Sequence, residues 1–275
     1  MSPVTPARRI VAYYTSHSDP LPLKGVVTDL DVGTFRIKDG AVIMNTTLPS
    51  DSANDEVWKN IAALQKAGIR TEAMLGGWGE GTFSALHNDF DNVYPKVRDL
   101  LKTYKFDGID IDIEESFPLA DTEQLIKKLR ADFGSAFLIT MSPVASDLAG
   151  NTSFSGGFKY ADLEKELGSQ ISWYNAQFYC GWGTLDDTGG YDAIVDNGFD
   201  PSRVVAGTIT NPKNCPDEHG YVQPDTLHTT LGKLAAKYPG FAGVAGWEYF
   251  NAVSANTNAD DHASWYAAAR KAVGA

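Results

Sequence analysis

The chain has 275 residues, 43% of them hydrophobic and 21% charged, so it is long enough for one large α/β domain with the composition of an ordinary enzyme. Its formal net charge of -12 argues against nucleic acid or an anionic membrane as the main partner, because both require a basic surface. No apolar run approaches the roughly 20 residues of a membrane-spanning helix. The N-terminus lacks the apolar core of a signal peptide, which predicts a protein that is either cytoplasmic or secreted with its leader removed.

Strand-like and helix-like patterns alternate along the whole chain, with no change in composition that would mark a linker. Eight such units predict a single (β/α)8 TIM barrel of the α/β class over residues 1–275, and the absence of a G-x-G-x-x-G motif after the first strand argues against a dinucleotide-binding sheet. The predicted strands are 10–14, 26–35 with a hairpin extension at 41–44, 69–75, 105–115, 137–142, 171–179, 204–209 and 241–250. The predicted helices are 54–67, 93–104, 121–133, 160–167, 191–197, 227–238 and 261–273.

The fourth predicted strand carries acids on one face and isoleucines on the other. Because successive side chains of a strand point to opposite faces, Asp110, Asp112 and Glu114 lie together on one face. Both faces of a barrel strand are covered, so the isoleucines pack under helices while the acids line the interior and its C-terminal mouth. Burying three neighbouring acids is costly, which indicates a functional role.

The C-terminal ends of the predicted strands are rich in aromatic and amide side chains. Active sites of such barrels are built at these ends. Aromatic faces stack on the C–H patches of a sugar ring while polar groups bind its hydroxyls, so the set predicts a carbohydrate site. Any one of these aromatic residues alone belongs to the core more often than to a site, and only their shared position carries the prediction. The residues expected to contact the substrate are Tyr13, Phe35, Gly76, Gly77, Trp78, Met141, Asn175, Trp247 and Glu248.

The three acids predict a glycosidase in which the substrate assists. Inward residues two apart lie about 6–7 Å apart, so their repulsion raises the pKa of at least one carboxyl. Glu114, nearest the mouth, is expected to be protonated and able to protonate a leaving oxygen. Ordinary schemes need a second carboxylate across the bond, but Asp112 comes from the same strand, so a 2-acetamido group is expected to attack C1. A Mg²⁺ site is the competing interpretation, disfavoured because only Glu248 ends another strand with an acid. No metal or other cofactor is predicted.

Several short motifs resemble glycoside hydrolase family 18. Residues 107–114 resemble its D-x-x-D-x-D-x-E signature with all four acids present. The sequence Leu75-Gly76-Gly77 resembles the S-x-G-G motif of its third strand, and Gln177-Phe178-Tyr179 resembles the Q-x-Y of its smaller members. Trp247 resembles its tryptophan on the eighth strand. The resemblance extends across essentially the whole chain, since the eight strands come in the expected order.

The runs at 137–146, 173–179 and 246–251 look most like the small fungal endo-β-N-acetylglucosaminidases of this family. That likeness implies a retaining, substrate-assisted enzyme that cuts the GlcNAc-GlcNAc core of N-glycans, acts as a monomer, and has N-glycoproteins or oligosaccharides as its partners. A small chitinase and a chitinase-like lectin are the alternatives. The roles implied are acid/base for Glu114, acetamido orientation for Asp112, proton sharing for Asp110, hydrogen bonding to the oxazolinium for Tyr179 and Gln177, and stacking on the −1 sugar for Trp247.

The loops and the cysteines leave further points open. Only about thirty residues separate the last two predicted strands, which a normal loop and helix fill. The loops at 146–158 and 211–222 are expected to select among glycan classes. Cys180 and Cys215 follow the sixth and seventh predicted strands, which is compatible with a disulfide or with two free thiols.

Overall fold

The computed structural model describes residues 8–79, 81–254, 258 and 260–275. None of the helices in these residues is long and apolar enough to cross a membrane. The strands are β1 (Arg9–Tyr14), β2 (Asp29–Lys38), β3 (Ala41–Met44), β4 (Arg70–Gly76), β5 (Gly108–Asp112), β6 (Leu138–Met141), β7 (Trp173–Gln177), β8 (Val204–Ile209) and β9 (Gly243–Trp247). The α-helices are α1 (Asp55–Lys66), α2 (Thr82–Asn88), α3 (Phe90–Thr103), α4 (Leu119–Phe133), α5 (Ala145–Leu148), α6 (Tyr160–Leu167), α7 (Gly189–Asp196), α8 (Pro224–Lys237) and α9 (Ala263–Val273).

Eight of these strands close into a parallel barrel. The order around the sheet is β1-β9-β8-β7-β6-β5-β4-β2, and parallel pairing between β1 and β2 completes the circle. β3 pairs antiparallel with β2 and forms the predicted hairpin extension. Helices follow the strands, so the predicted TIM barrel is confirmed.

The main hydrophobic core lies between the strands and the surrounding helices. Helix α1 shows why, since Val57, Ile61 and Leu64 recur at helical spacing and are buried while the opposite face is charged. The barrel interior holds a second and smaller apolar cluster that includes Met74 and Trp173. Buried polar side chains, among them Asp110 and Asp112 of β5, lie beside this cluster, and those nearest the C-terminal mouth belong to the candidate site.

The structure corrects several predicted boundaries. The acidic strand ends at Asp112, so Glu114 lies in the loop beyond β5. The sequence pattern did not predict helices α2 and α5, and α5 lies at the start of the segment 146–158 that was expected to be a loop. The strands predicted at 26–35, 171–179 and 241–250 also end elsewhere, and β2 runs on to Lys38 because it pairs with β3.

Candidate active site

The acids of β5 point into the barrel, as the alternation predicts. Asp110 and Asp112 are 0% and 3% exposed, and Ile109 and Ile111 lie in the outer hydrophobic layer. Glu114 continues the same face beyond the strand and is half-buried at the mouth. Because the strand is short and both faces are covered, the three carboxyls form a row from the interior to the opening.

Asp110, the deepest of the three, is surrounded by hydroxyl groups. The Thr140 hydroxyl donates to Asp110 Oδ1 at 2.6 Å, and the Ser142 hydroxyl donates to Oδ2 at 2.6 Å. The Asn175 amide and the Tyr13 hydroxyl donate to the same carboxyl at 3.3 and 3.5 Å. Burial raises the pKa of Asp110, while these hydrogen bonds oppose the rise. Proton sharing between Asp110 and Asp112 stays a prediction.

The side-chain amide of Gln177 connects the two outer carboxyls. Its Nε2 lies 3.0 Å from Asp112 Oδ1, 3.3 Å from Glu114 Oε1 and 2.7 Å from the Ser142 carbonyl oxygen. The amide nitrogen is therefore committed to orienting the acids, whereas the resemblance assigned Gln177 to the reaction intermediate. Burial, and then the charges of Glu114 and Asp110, raise the pKa of Asp112 well above its usual range.

Glu114 has the character of a proton donor. Burial raises its pKa, while the hydrogen bond from Gln177 and the charge of Arg36 oppose the rise. Since Asp112 and Glu114 repel when both are ionised, the pair retains a proton at a pH where a free carboxyl would have lost it. A carboxyl that stays protonated next to an oriented carboxylate can act as a general acid.

Asp112 and Glu114, but not the deeper Asp110, line a cavity of about 740 Å³ at the C-terminal mouth. Tyr179 is 7% exposed, and burial together with the charges of Asp112 and Glu114 raises its phenol pKa well above the usual range, so the phenol stays neutral. Trp247 packs edge-to-face on Tyr13, with ring centroids 5.3 Å apart. The cavity lining consists of Thr15, Thr34, Arg36, Asn45, Gly77, Trp78, Asp112, Glu114, Phe154, Gln177, Tyr179, Cys180, Trp182, Asn214, Pro216, Trp247 and Glu248.

Phe35 is a correction, because its ring lies outside the barrel. It is 0% exposed and packs against Trp58 and Phe106. The register between β2 and β4 shifts between Val32 and Phe35, and this irregularity reverses the in–out alternation. The residue that turns into the cavity is Arg36, one position later.

Four other predicted contacts lie beneath or behind the cavity wall. Met141 is 0% exposed in the outer hydrophobic layer, since the inward face of β6 carries Thr140 and Ser142 instead. Tyr13 and Asn175 are buried partners of Asp110, as described above. Gly76 has a φ of +104°, and a Cβ there would lie 2.2 Å from the Asp112 backbone oxygen, so it permits the close approach of β4 to β5.

Glu248 and Gly77, like Trp78, line the cavity, and their contact with the substrate stays a prediction. The Thr15 hydroxyl donates to Glu248, and burial raises the pKa of that carboxyl. Gly77 lies beside Asp112 Oδ2, and its φ of +86° is a backbone conformation that favours glycine. Within the described residues, no group of three or more His, Cys, Asp or Glu side chains is arranged to hold a metal ion.

Three aromatic rings form one wall of the cavity, and two of them were not predicted. Trp78 is 74% exposed, and its ring centroid lies 6.5 Å from that of Phe154 at an interplanar angle of 17°. Phe154 stacks in turn on Trp182 at 4.4 Å and 27°. Asp147 holds the Phe154 loop by accepting hydrogen bonds from the backbone nitrogens of Phe154 and Ser155. The rings come from three loops, so sequence spacing gave no sign of this ladder.

A disulfide bond joins Cys180 to Cys215. It connects the loop after β7 to the loop after β8, and Cys180 lines the cavity. Tyr179 precedes the first cysteine and packs with Ile209 and Cys215. The bond therefore fixes the segment that carries the buried phenol.

The chain is similar to a family of glycosyl hydrolases and to several of their solved structures. The sequence profile of glycosyl hydrolases family 18 matches residues 9–211. The structure of a fungal endo-beta-N-acetylglucosaminidase from glycosyl hydrolase family 18 has a TM-score of 0.88 and 34% identity, covering 96% of this chain and 97% of that chain. Chitinase ChiC from Aspergillus fumigatus has a TM-score of 0.87 and 35% identity, with coverage of 91% and 95%. Endochitinase 4 of Metarhizium anisopliae is 25% identical, over 67% of this chain and 71% of that protein.

Proposed function

The chain belongs to glycosyl hydrolase family 18, and we propose that it is an endo-β-N-acetylglucosaminidase that hydrolyses the GlcNAc-β-1,4-GlcNAc core of N-glycans. The observation that carries the proposal is the pairing of Asp112 and Glu114 through Gln177 at the floor of a sugar-sized cavity. The likeness to a fungal endo-beta-N-acetylglucosaminidase over nearly the full length of both chains supports this substrate.

In the proposed reaction, the substrate supplies the nucleophile. Protonated Glu114 donates to the glycosidic oxygen as the bond from C1 to the leaving sugar breaks. The acetamido carbonyl oxygen of the −1 sugar attacks C1 and forms an oxazolinium, whose positive charge the ionised Asp112 stabilises through the acetamido N–H. Glu114, now ionised, takes a proton from the water that opens the oxazolinium at C1. Two inversions at C1 give net retention of configuration.

The surroundings of the acids support this division of roles. Tyr179 holds a neutral hydroxyl beside the two carboxyls, and that hydroxyl donates a hydrogen bond to the acetamido oxygen in the proposed complex. Trp247 offers a half-buried ring at the cavity floor for the −1 sugar. Glu248 is the other carboxyl in the cavity lining, but it accepts the Thr15 hydroxyl on the opposite wall. We therefore expect Glu248→Gln to keep hydrolysis that Glu114→Gln abolishes.

The small size of the connection between β8 and β9 favours a bulky substrate. That connection contains short turns and α8, so no inserted domain rises beside the cavity there. A glycan attached to a folded protein needs an open approach of this kind. A processive chitinase with a deep substrate tunnel would need an inserted domain or long loops around the cavity.

A small chitinase is the second candidate. The similarity to ChiC favours it, and so does the ladder of Trp78, Phe154 and Trp182, because a row of rings suits a linear chain of sugars. A chitinase-like lectin would lack the acid, and Glu114 is present. Incubation with a high-mannose glycoprotein and, separately, with chitin oligomers distinguishes the candidates by mass spectrometry.

The proposed enzyme leaves one GlcNAc on the glycoprotein, and Glu114→Gln leaves the glycan intact. Cleavage of chitin oligomers without loss of glycan from the glycoprotein would support the chitinase instead. In Asp112→Asn we expect hydrolysis to fall at least about 100-fold, since an amide cannot stabilise the oxazolinium charge. The same variant is expected to accept a preformed sugar oxazoline, and unchanged hydrolysis would exclude substrate assistance.

A further inference from the structure

Arg36 enters the cavity because of an irregularity in β2. The register shift between Val32 and Phe35 turns Thr34 and Arg36 inward, where regular alternation would place Phe35. Among the cavity-lining residues of the described chain, Arg36 is the single lysine or arginine. A protein of net charge -12 thus presents one arginine in a cavity that is also lined by Asp112, Glu114 and Glu248.

The guanidinium of Arg36 is tied to the loop that presents Trp78. Its Nη2 donates to the Trp78 carbonyl oxygen at 2.5 Å, and its Nε donates to the Gly76 carbonyl oxygen at 3.4 Å. Gly79 lies beside Nη1 of the guanidinium, and its φ of +117° is a backbone conformation that favours glycine. The planar fork of arginine suits two carbonyls at once, which the single ammonium of lysine does not.

The same positive charge faces the reacting carboxyls. The titratable groups around it in the cavity are Asp112 at the end of β5, Glu114 beyond it, Tyr179 after β7 and Glu248 after β9. Burial raises the pKa of both Asp112 and Glu114, and the charge of Arg36 opposes the rise in each. Without this charge, the pair would hold its proton to higher pH and ionised Asp112 would be scarcer.

We propose that Arg36 is a positioning residue for the hydrolysis, which shapes the Trp78 loop through two carbonyl contacts and keeps a positive charge beside Asp112 and Glu114. The proposal rests on the proposed chemistry of these acids but not on the choice between N-glycan and chitin. Its two parts are separable. Glutamine at position 36 removes the charge, and lysine keeps the charge but loses the fork.

The test compares R36Q and R36K with the parent, using the N-glycan core or chitin oligomer that the parent cleaves. In R36Q we expect both limbs of the pH profile of kcat/KM to move to higher pH by about half a unit or more. The R36K profile is expected to stay at the parent position while its KM rises about tenfold, because the loop carbonyls lose a donor. K38Q, which removes an exposed charge from the same strand, is the matched control and should leave both properties unchanged.

Carboxyl ¹³C NMR titration of Glu114 and Asp112 in parent, R36Q and R36K gives a readout that needs no turnover. If the parent cleaves neither substrate, the proposed function fails while the titration still tests Arg36. Unmoved carboxyl titrations and an unmoved pH profile in R36Q would overturn the charge role. A parent-like KM in R36K would overturn the loop role. If R36Q does not fold, R36M, which also lacks the charge, takes its place in the carboxyl titration and the pH profile.

Discussion

Replacing Glu115 with glutamine is expected to loosen the connection between the acid strand and the wall of the cavity. Glu115 follows Glu114 but points the other way, and its carboxylate caps the start of α2. It accepts hydrogen bonds from the backbone nitrogens of Gly81 (2.9 Å), Phe83 (2.7 Å) and Ser84 (3.2 Å), and from the Ser84 hydroxyl (2.6 Å). The segment it holds directly follows the loop of Trp78.

The size of the stability loss in E115Q depends on which hydrogen bonds the glutamine amide can still accept. A hydrogen bond to a charged group contributes about 1.5–3 kcal/mol, and in E115Q one oxygen becomes an NH₂ that faces N–H and O–H donors. We expect the free energy of unfolding in urea to fall by about 2–4 kcal/mol at neutral pH. The control E123Q removes a partly exposed carboxylate that pairs with the exposed Lys127 on α4, and it should cost about 0.5 kcal/mol or less.

The pH dependence gives a second check on Glu115. Burial raises its pKa, but the hydrogen bonds from Gly81, Ser84 and Phe83 outweigh burial, so the folded-state pKa is lowered. Its stabilisation is therefore present above the unfolded-state pKa of about 4.3 and is lost as pH falls through the lower folded-state value. A difference between parent and E115Q that is no larger than that of E123Q, or that persists unchanged in acid, would refute the reasoning.

Three further predictions concern the cavity wall and the barrel interior. Phe154→Ala should raise KM several-fold with little change in kcat, because a stacking surface for sugar is lost, and an unchanged KM in steady-state assays would contradict the ladder's role. Replacing both Cys180 and Cys215 with serine should lower kcat as well as the melting temperature, since the disulfide fixes the segment that carries Tyr179. A lower melting temperature with an unchanged kcat would show that the disulfide contributes to stability only. Glu72 is 0% exposed with two unpartnered oxygens, and burial followed by the charge of Asp29 raises its pKa well above the usual range. Because the folded-state pKa is raised, the parent loses stability as pH rises above the unfolded-state value of about 4.3. The melting temperature of E72Q minus that of the parent should therefore increase with pH, and a difference that does not depend on pH would contradict this.

The sequence predicted the parts of the site that depend on strand periodicity. Alternation in β5 was enough to place Asp110 and Asp112 on one inward face, because both the barrel and the period of two are regular there, and Glu114 continues that face in the loop beyond the strand. The same rule failed for Phe35 and Arg36, since one irregularity in β2 reverses the alternation and has no signature in composition.

The periodicity of the sequence does not predict contacts between loops. Phe154 and Trp182 meet only because three loops of the barrel converge at one mouth, and their separation in sequence carries no information about that contact. The partners of Glu115 belong to α2, a helix too short to show a clear apolar period. The pairing of Cys180 with Cys215 likewise depended on the distance between two loops rather than on spacing.

In the proposed reaction the substrate's acetamido group is the nucleophile, and Asp112 stabilises the ion that it forms. This is tested by the kcat/KM of the parent on whichever it cleaves, the N-glycan core oligosaccharide or the chitin oligomer, prepared with zero, one, two or three fluorines on the −1 acetamido methyl group. Fluorine withdraws electrons from the carbonyl oxygen that must attack C1, so we expect kcat/KM to fall steeply with each added fluorine. A rate that does not depend on fluorination would contradict substrate assistance and would direct attention to Glu248 as an enzymic nucleophile.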